Sequence, residues 1–163
     1  MTDTGSQYRI CHIELDEKSI IRRNADIDHE RRVAIFDLLE ENSYQPLEAF
    51  PGQYTGPFRL TLRIEDNRLA MDIYTEDCQK LTIIILPLNL LRRTIKEYFQ
   101  ICDSYFTAIK SASPRQIETI DMARRGLHDE GSEILQDRLA EKVKMDFATA
   151  RRLFTLICVL QIR

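Results

Sequence analysis

The sequence predicts an α+β fold, in which an antiparallel β-meander with a short N-terminal strand packs against several C-terminal helices. Two observations support this prediction. Apolar and polar residues alternate over much of 58–86, whereas apolar residues recur at intervals of three and four through most of 90–160. The predicted strands of the meander are joined by tight turns, which cannot provide the crossovers of a parallel sheet of the Rossmann type.

The composition is typical of a soluble globular domain. Of the 163 residues, 44% are hydrophobic and 30% are charged, and a chain of this length buries enough surface to form a core. We expect a single domain over 1–163, with a polar tail at about 1–7 and an irregular loop at about 43–57, where proline and glycine recur. The four cysteines lack paired spacing, and no signal or membrane-spanning segment is visible, so we expect a cytoplasmic protein with reduced thiols.

The N-terminal half predicts a strand, a helix and a three-stranded meander. Alternation over 9–15 predicts a short strand, and the apolar stripe within 26–42 predicts a helix. The alternation over 58–73 is interrupted by an Asp-Asn turn, which predicts a β-hairpin. The apolar run at 81–86 predicts the third strand of the meander.

The C-terminal half predicts four helices. A long amphipathic helix comes first, and a capping box over 113–116 starts the next one. Gly126 follows two arginines as a terminating glycine does, so a loop is predicted at 127–131 and a new helix at 132–142. Asp146 is the predicted N-cap of a last helix, which is apolar nearly all round and is therefore expected to be buried.

Three long segments carry a resemblance to a known family. They are ERRVAIFDLLEEN at 30–42, IDMARRGLHDEGSE at 120–133 and TARRLFTLICVL at 149–160. On these segments the chain resembles, over nearly its whole length, the alphaproteobacterial uncharacterised protein family 0262. The resemblance implies a cytoplasmic bacterial protein and assigns no activity or catalytic residue, so the candidate sites rest on the residues themselves.

Adjacent arginine pairs are the first candidate site. A guanidinium group binds phosphate or carboxylate through two parallel hydrogen bonds, so several pairs that converge in one cleft would form an anion site. The alternative is that the pairs lie on the surface beside acids at helical spacing, such as Asp121 four residues before Arg125. The sequence leaves both alternatives open. The pairs are Arg22-Arg23, Arg31-Arg32, Arg92-Arg93, Arg124-Arg125 and Arg151-Arg152.

The segment from Gly126 to Ser132 is the second candidate. At its predicted helix start the backbone N–H groups of Gly131 and Ser132 would hold an anion, and His128 would act as an acid or a base near neutral pH. The alternative explains Gly126 as a helix terminator and Ser132 as an N-cap. Together the two candidates give a predicted anion site of Arg92, Arg93, Arg124, Arg125, His128, Gly131 and Ser132, and a predicted interaction surface of Arg31, Arg32, Arg151 and Arg152.

Metal binding and catalysis have weaker support. The histidine and carboxylates at 28–30 and at 128–130 would suit zinc, manganese or iron if the two segments met, but neighbouring residues rarely bind one ion and no H-x-x-x-H or H-E-x-x-H spacing occurs. No G-x-S-x-G or glycine-rich phosphate loop is present. We therefore predict no metal and no cofactor, and the sequence assigns no catalytic residue.

The sequence is consistent with two functions. The net charge of −3 without a basic stripe disfavours nucleic acid and membrane surfaces as partners. The leading interpretation is a non-enzymatic interaction or regulatory module that presents its arginines to an unknown protein partner, or to a second copy in a homodimer. The alternative is a small enzyme or ligand-binding protein that uses Arg124, Arg125, His128 and the helix start at Ser132 on a phosphorylated or carboxylate compound.

Overall fold

The architecture combines a β-sheet with four α-helices. This computed structural model describes residues 7–16 and 25–161 of the protein. The described residues form six β-strands, four α-helices and a 3-10 turn at Pro51–Gln53. They are β1 (Ile10–Leu15), α1 (Ala25–Glu40), β2 (Gln45–Pro46), β3 (Phe58–Glu65), β4 (Arg68–Thr75), β5 (Lys80–Pro87), α2 (Asn89–Ser111), α3 (Pro114–Leu139), β6 (Val143–Lys144) and α4 (Phe147–Leu160).

The main sheet is mixed, with the strand order β1-β3-β4-β5. Its strands β3, β4 and β5 form the predicted antiparallel meander. β1 pairs in parallel with β3, with Ile13 opposite Leu60. Parallel neighbours need a long connection, and the chain from α1 to the end of the 43–57 loop provides it. The α+β class is therefore confirmed, with mostly antiparallel strands and one parallel pairing.

The β3–β4 hairpin has the turn that its sequence predicts. Asp66 and Asn67 have φ angles of 51° and 60°, as a two-residue type I′ turn requires, and these two residue types tolerate that region better than most. The register places Leu62 opposite Met71 and Leu60 opposite Ile73. These four side chains are buried, so the hairpin supplies one wall of the core.

The helices form the other wall of the core, and α4 is central among them. α4 begins at the predicted cap, where Asp146 accepts a hydrogen bond from the backbone N–H of Thr149 at 2.8 Å. Its apolar residues, such as Phe154 and Leu156, are buried nearly all round, as predicted. α4 packs against both α1 and α3, whereas α1 and α3 scarcely touch each other. This arrangement leaves a groove between α1 and α3 with α4 as its floor.

α3 corrects the sequence analysis at one important point. The predicted end at Gly126, the loop at 127–131 and the new helix start at Ser132 are wrong, because α3 is continuous from Pro114 to Leu139. Its start is the predicted capping box, in which Ser113 and Gln116 exchange hydrogen bonds. A glycine in a helix costs about 1 kcal/mol, and the packing of α3 against α2 and α4 keeps this segment helical across both glycines.

Gly131 shows why a turn-like composition occurs inside this helix. A Cβ atom built on Gly131 would lie 2.2–2.9 Å from atoms of the Phe154 ring on α4. Only glycine permits this close approach of α3 and α4. The hydroxyl of Ser132 donates to the carbonyl oxygen of His128 at 2.7 Å, one turn back along α3, so it does not cap a helix.

The loop predicted at 43–57 contains two short regular segments. β2 pairs with β6 in a separate two-stranded sheet, and the 3-10 turn follows it. The chain then reaches β3 through a cis Gly56-Pro57 peptide bond. The loop therefore links the sheet region to the start of α4.

Candidate functional site

Arginines from two helices line one cavity. The cavity has a volume of about 470 Å³ and occupies the groove above α4, between α1 and α3. We call it the arginine cleft after the four arginines that line it. They are Arg124 and Arg125 from α3, and Arg151 and Arg152 from α4.

Helical spacing explains how α4 contributes its side chains. Ala148 and Thr155 are seven residues apart, and Arg151 and Arg152 each lie three or four residues from both, so the four residues share one face of the helix and line the cleft. The opposite face of α4 is buried in the core. Arg151 and Arg152 therefore line the cleft because the apolar face of α4 packs into the core on the other side.

The α3 arginines share one carboxylate. Arg124 donates from Nη2 to Oδ1 of Asp121 at 2.6 Å, and Arg125 donates to the other carboxylate oxygen. These hydrogen bonds hold the pKa of Asp121 below its usual value. The guanidinium carbon of Arg124 also lies 4.2 Å from the centre of the Tyr105 ring, a cation–π contact. Two positive charges therefore face a single negative one.

The α4 arginines are less completely paired. Nη1 of Arg151 lies 3.4 Å from Oδ1 of Asp129, but that buried oxygen accepts no hydrogen bond among the described residues. The ion pair is therefore a loose electrostatic contact. Arg152 donates from Nη1 to the backbone carbonyl of Glu41 at 3.0 Å and has no carboxylate partner within the described ranges. The wall formed by α3 and α4 thus carries four guanidinium groups and two paired carboxylates.

His128 lies behind the arginines in an apolar setting. Its ring meets the rings of Tyr98 and Phe154 edge to face, with centroids 5.4 and 5.1 Å apart. Burial lowers its pKa to about 4, and the positive charges of Arg151 and Arg124 act in the same direction. The imidazole is therefore neutral at pH 7.

Both ring nitrogens of His128 face hydroxyl groups. Nε2 lies 2.7 Å from the hydroxyl oxygen of Thr155, which is also 3.3 Å from the carbonyl oxygen of Arg151. Nδ1 faces the Ser132 hydroxyl at 3.5 Å. A buried imidazole whose pKa is lowered to about 4 does not suit the predicted role of an acid or base near neutral pH.

The third wall of the cleft is acidic. α1 supplies His29, Glu30 and Asp37, which are on the side of the helix that faces the groove. The side chain of Asp37 makes no hydrogen bond or ion pair within the part of the chain that the structure describes. Positive and negative groups therefore occupy different walls of the same cavity.

Two of the predicted anion-site residues are placed where they cannot serve as predicted. Gly131 and Ser132 are buried in the middle of α3, so their backbone N–H groups belong to the helix and offer no helix N-terminus to an anion. The predicted anion site at this helix start is wrong. The reason is the continuous packing of α3 on α4, which overrides the local turn signals.

The arginine doublets divide into two groups. Arg124, Arg125 and His128 from the predicted anion site meet Arg151 and Arg152 from the predicted interaction surface in the cleft. The remaining doublets do not line it. Arg92 and Arg93 are exposed on α2, Arg31 and Arg32 are on α1 outside the lining, and Arg22-Arg23 lies outside the described residues.

Sequence reasoning missed several cleft residues. The spacing of Ala148, Arg151 and Thr155 on one face of α4 was a usable signal for Thr155. For Tyr98 and Asp37 the sequence held no comparable signal, because their positions depend on how α2 and α1 pack around α4.

The described ranges 7–16 and 25–161 contain no cluster of possible metal ligands. Within them no group of three or more His, Cys, Asp or Glu side chains is close enough to hold an ion. His29 and Glu30 approach the same cleft as His128, but the nitrogen atoms of His128 face Thr155 and Ser132. None of the described helices combines the length and apolar character needed to cross a membrane.

The fold and the cleft define an α+β protein with a charged cavity between its helices. Residues 7–163 match the sequence model of the uncharacterised protein family UPF0262, and the chain belongs to this family. A UPF0262 protein from Erythrobacter litoralis is 58% identical over 158 residues, which cover 97% of this chain and 99% of the relative. Corresponding proteins from Novosphingobium aromaticivorans and Rhizobium etli are 59% and 51% identical, covering 95% and 96% of this chain and 97% and 96% of theirs. No solved structure matches the chain.

Proposed function

We propose that this protein is a non-enzymatic binding module that holds the phosphate or carboxylate group of a small ligand in the arginine cleft. The observation that carries the proposal is that four arginines from α3 and α4 line one cavity. Guanidinium groups bind such anions through paired, charge-assisted hydrogen bonds. A cavity of about 470 Å³ is also within the range of small-molecule sites, about 300–1,000 Å³.

The incomplete pairing of the arginines supports anion binding. Asp121 is shared by two guanidinium groups, and Arg152 is bonded only to a neutral carbonyl among the described residues. Each arginine has five N–H donors, and these contacts leave most of them available. An anion in the cleft would therefore gain hydrogen bonds without first displacing a carboxylate from every arginine.

The surroundings of His128 favour binding over catalysis. The obvious nucleophile–base pair in the cleft would be Thr155 and His128, whose side chains are 2.7 Å apart. Burial lowers the pKa of His128 to about 4, so its imidazole is a weak base at neutral pH. The pair therefore lacks the base that an activated nucleophile requires.

Calorimetric titration tests the proposal with two matched arginine pairs. We expect inorganic phosphate or malonate to bind the wild-type protein, and Arg151→Gln/Arg152→Gln to raise the dissociation constant at least about tenfold. Arg92→Gln/Arg93→Gln removes the same charge from exposed positions of α2 and should leave the constant within about twofold. Glutamine has nearly the helix propensity of arginine, so both variants should fold.

Two results would contradict the proposal. One is the absence of detectable binding for both anions at low ionic strength. The other is an equal loss of affinity in the two double variants, which would show that net charge alone attracts the anion. Circular dichroism and the melting temperature of each variant establish that any loss of binding does not come from unfolding.

We also propose that the protein acts in the cytoplasm and has a regulatory role toward a protein partner or a second copy. Supporting this, Phe36 and Met122 are 66% and 64% exposed, and each lies three residues from a residue that lines the cleft. Contiguous exposed apolar patches mark interaction surfaces, and Val33, which is 43% exposed, lies one turn from Phe36 on α1. Light scattering and co-purification from a cytosolic extract should give a complex that Phe36→Ser weakens. A monomer that recovers no stoichiometric partner would contradict this role.

A further inference from the structure

The two walls of the arginine cleft carry opposite charges, and this separation bears on what the ligand is. We infer that the ligand is a phosphorylated compound whose organic part carries hydroxyl or ammonium groups. Its phosphate would face the arginines of α3 and α4, and its hydrogen-bond donors would face the carboxylates of α1. The inference rests on the proposed function and specifies the class of ligand.

The cavity is too large for a bare anion. A water molecule occupies about 30 Å³ in the liquid, and a phosphate group has only five non-hydrogen atoms. The cleft has a volume of about 470 Å³, so a phosphate group held by the guanidinium groups would leave most of the space open. The cleft therefore has room for an organic part beside the phosphate group, and the residues that line this space indicate its chemistry.

Asp37 on the α1 wall offers hydrogen-bond acceptors to that organic part. It lies seven residues from Glu30, two turns along the same face of α1, and both residues line the cleft. A carboxylate only accepts hydrogen bonds when ionised, and it repels a second anion. Hydroxyl and ammonium groups match this wall, whereas a second phosphate or an acidic peptide does not.

Asp37 is the clearest indication. No ion pair joins it to Arg124, Arg125, Arg151 or Arg152, although all five residues line the same cavity. Asp37 and the four arginines border one space without contacting each other. This space would accept a molecule that has an anionic group at one end and hydrogen-bond donors at the other. Val33 and Ala34 of α1 and Ala148 of α4 add apolar surface to the lining, which suits the carbon chain of such a molecule.

Three phosphate esters of similar size test the inference. Glycerol 3-phosphate and O-phosphoethanolamine carry hydroxyl and ammonium groups, and propyl phosphate replaces these groups by hydrogen or methyl. We expect each donor-bearing ester to bind the wild-type protein about tenfold more tightly than propyl phosphate, measured by calorimetric titration at fixed ionic strength. Equal dissociation constants for all three esters would overturn the inference.

Substitution of Asp37 tests whether this carboxylate causes the tighter binding of the donor-bearing esters. In Asp37→Ala the advantage of O-phosphoethanolamine should fall to about threefold or less, and propyl phosphate should bind slightly more tightly because a nearby negative charge is gone. Asp103→Ala, a matched change at an exposed position of α2, should keep the full preference. An undiminished preference in Asp37→Ala would also overturn the inference.

The outcomes separate the inference from the proposed function. If propyl phosphate binds through Arg151 and Arg152 but the donor-bearing esters gain nothing, anion binding stands and the ligand class is wrong. If neither inorganic phosphate nor any ester binds, the proposed function fails and the inference fails with it.

Discussion

The doublets Arg92-Arg93 and Arg151-Arg152 look alike in the sequence and differ completely in their surroundings. Arg93 is 89% exposed and pairs with Glu97 one turn along α2, an exposed contact that contributes about 0.3–0.5 kcal/mol. Arg151 and Arg152 lie on a helix that packs against both α1 and α3, so they line a cavity between these elements. The elements packed around a doublet, rather than the doublet itself, determine whether it forms a site.

The same contrast applies to other repeated residues. Gly126 and Gly131 are both in α3, but only Gly131 meets a ring from α4. His29 and His128 both line the arginine cleft, but His29 is exposed and His128 is buried between aromatic rings. Each pair allows one residue type to be tested in a packed and in an open position of the same molecule.

The glycine pair should give the largest difference in stability. Gly131→Ala places a methyl group within 2.2–2.9 Å of atoms of the Phe154 ring, so we expect a loss of about 2–3 kcal/mol in the free energy of unfolding. Gly126→Ala adds the same group where nothing lies within 4 Å, and it should stabilise the protein by about 0.5–1 kcal/mol. Urea unfolding of both variants measures the difference.

The glycine experiment also tests whether α3 is continuous. If the chain turned at 127–131, Gly126 would be needed for a terminating conformation and alanine there would destabilise the protein. A loss of stability in Gly126→Ala would contradict a continuous α3, and a neutral Gly131→Ala would contradict the close contact of α3 and α4.

Much of the fold was predictable from residue periodicity. The alternation over 58–73 and the Asp-Asn turn predicted the hairpin, and the capping residues Ser113 and Asp146 predicted where α3 and α4 begin. These signals act within a few residues, so they can be recognised in the sequence alone. The parallel direction of β1 was not predicted, because it depends on the path that the chain takes between β1 and β3.

The candidate site was only partly predictable for the same reason. Arg124, Arg125 and His128 were identified from local chemistry, but the local turn signals at Gly126 and Gly131 led to a wrong helix start. The packing of α3 on α4 decides that region. The acidic wall with Asp37 requires α1 to lie beside α4, and nothing in the sequence near Asp37 indicates this.

The histidine pair tests the contrast through pH, with a smaller expected effect. Burial lowers the pKa of His128 to about 4 in the folded protein, whereas an unfolded chain has a value near 6.5. Between these values the unfolded chain binds more protons, so the free energy of unfolding falls as the pH is lowered. The contribution is fully present above about pH 6.5 and is lost as the pH falls toward 4.

Unfolding at two pH values isolates this contribution. From pH 7 to pH 4.5 the wild-type protein should lose about 2 kcal/mol more than His128→Gln, which keeps a hydrogen-bond donor but does not titrate. His29→Gln removes the exposed histidine of the same cleft and leaves His128 in place, so it should show the full wild-type loss. If wild type and His128→Gln lost stability equally, His128 would be reached by solvent in the folded state. The imidazole would then be available as an acid or base, and the case for binding without catalysis would weaken.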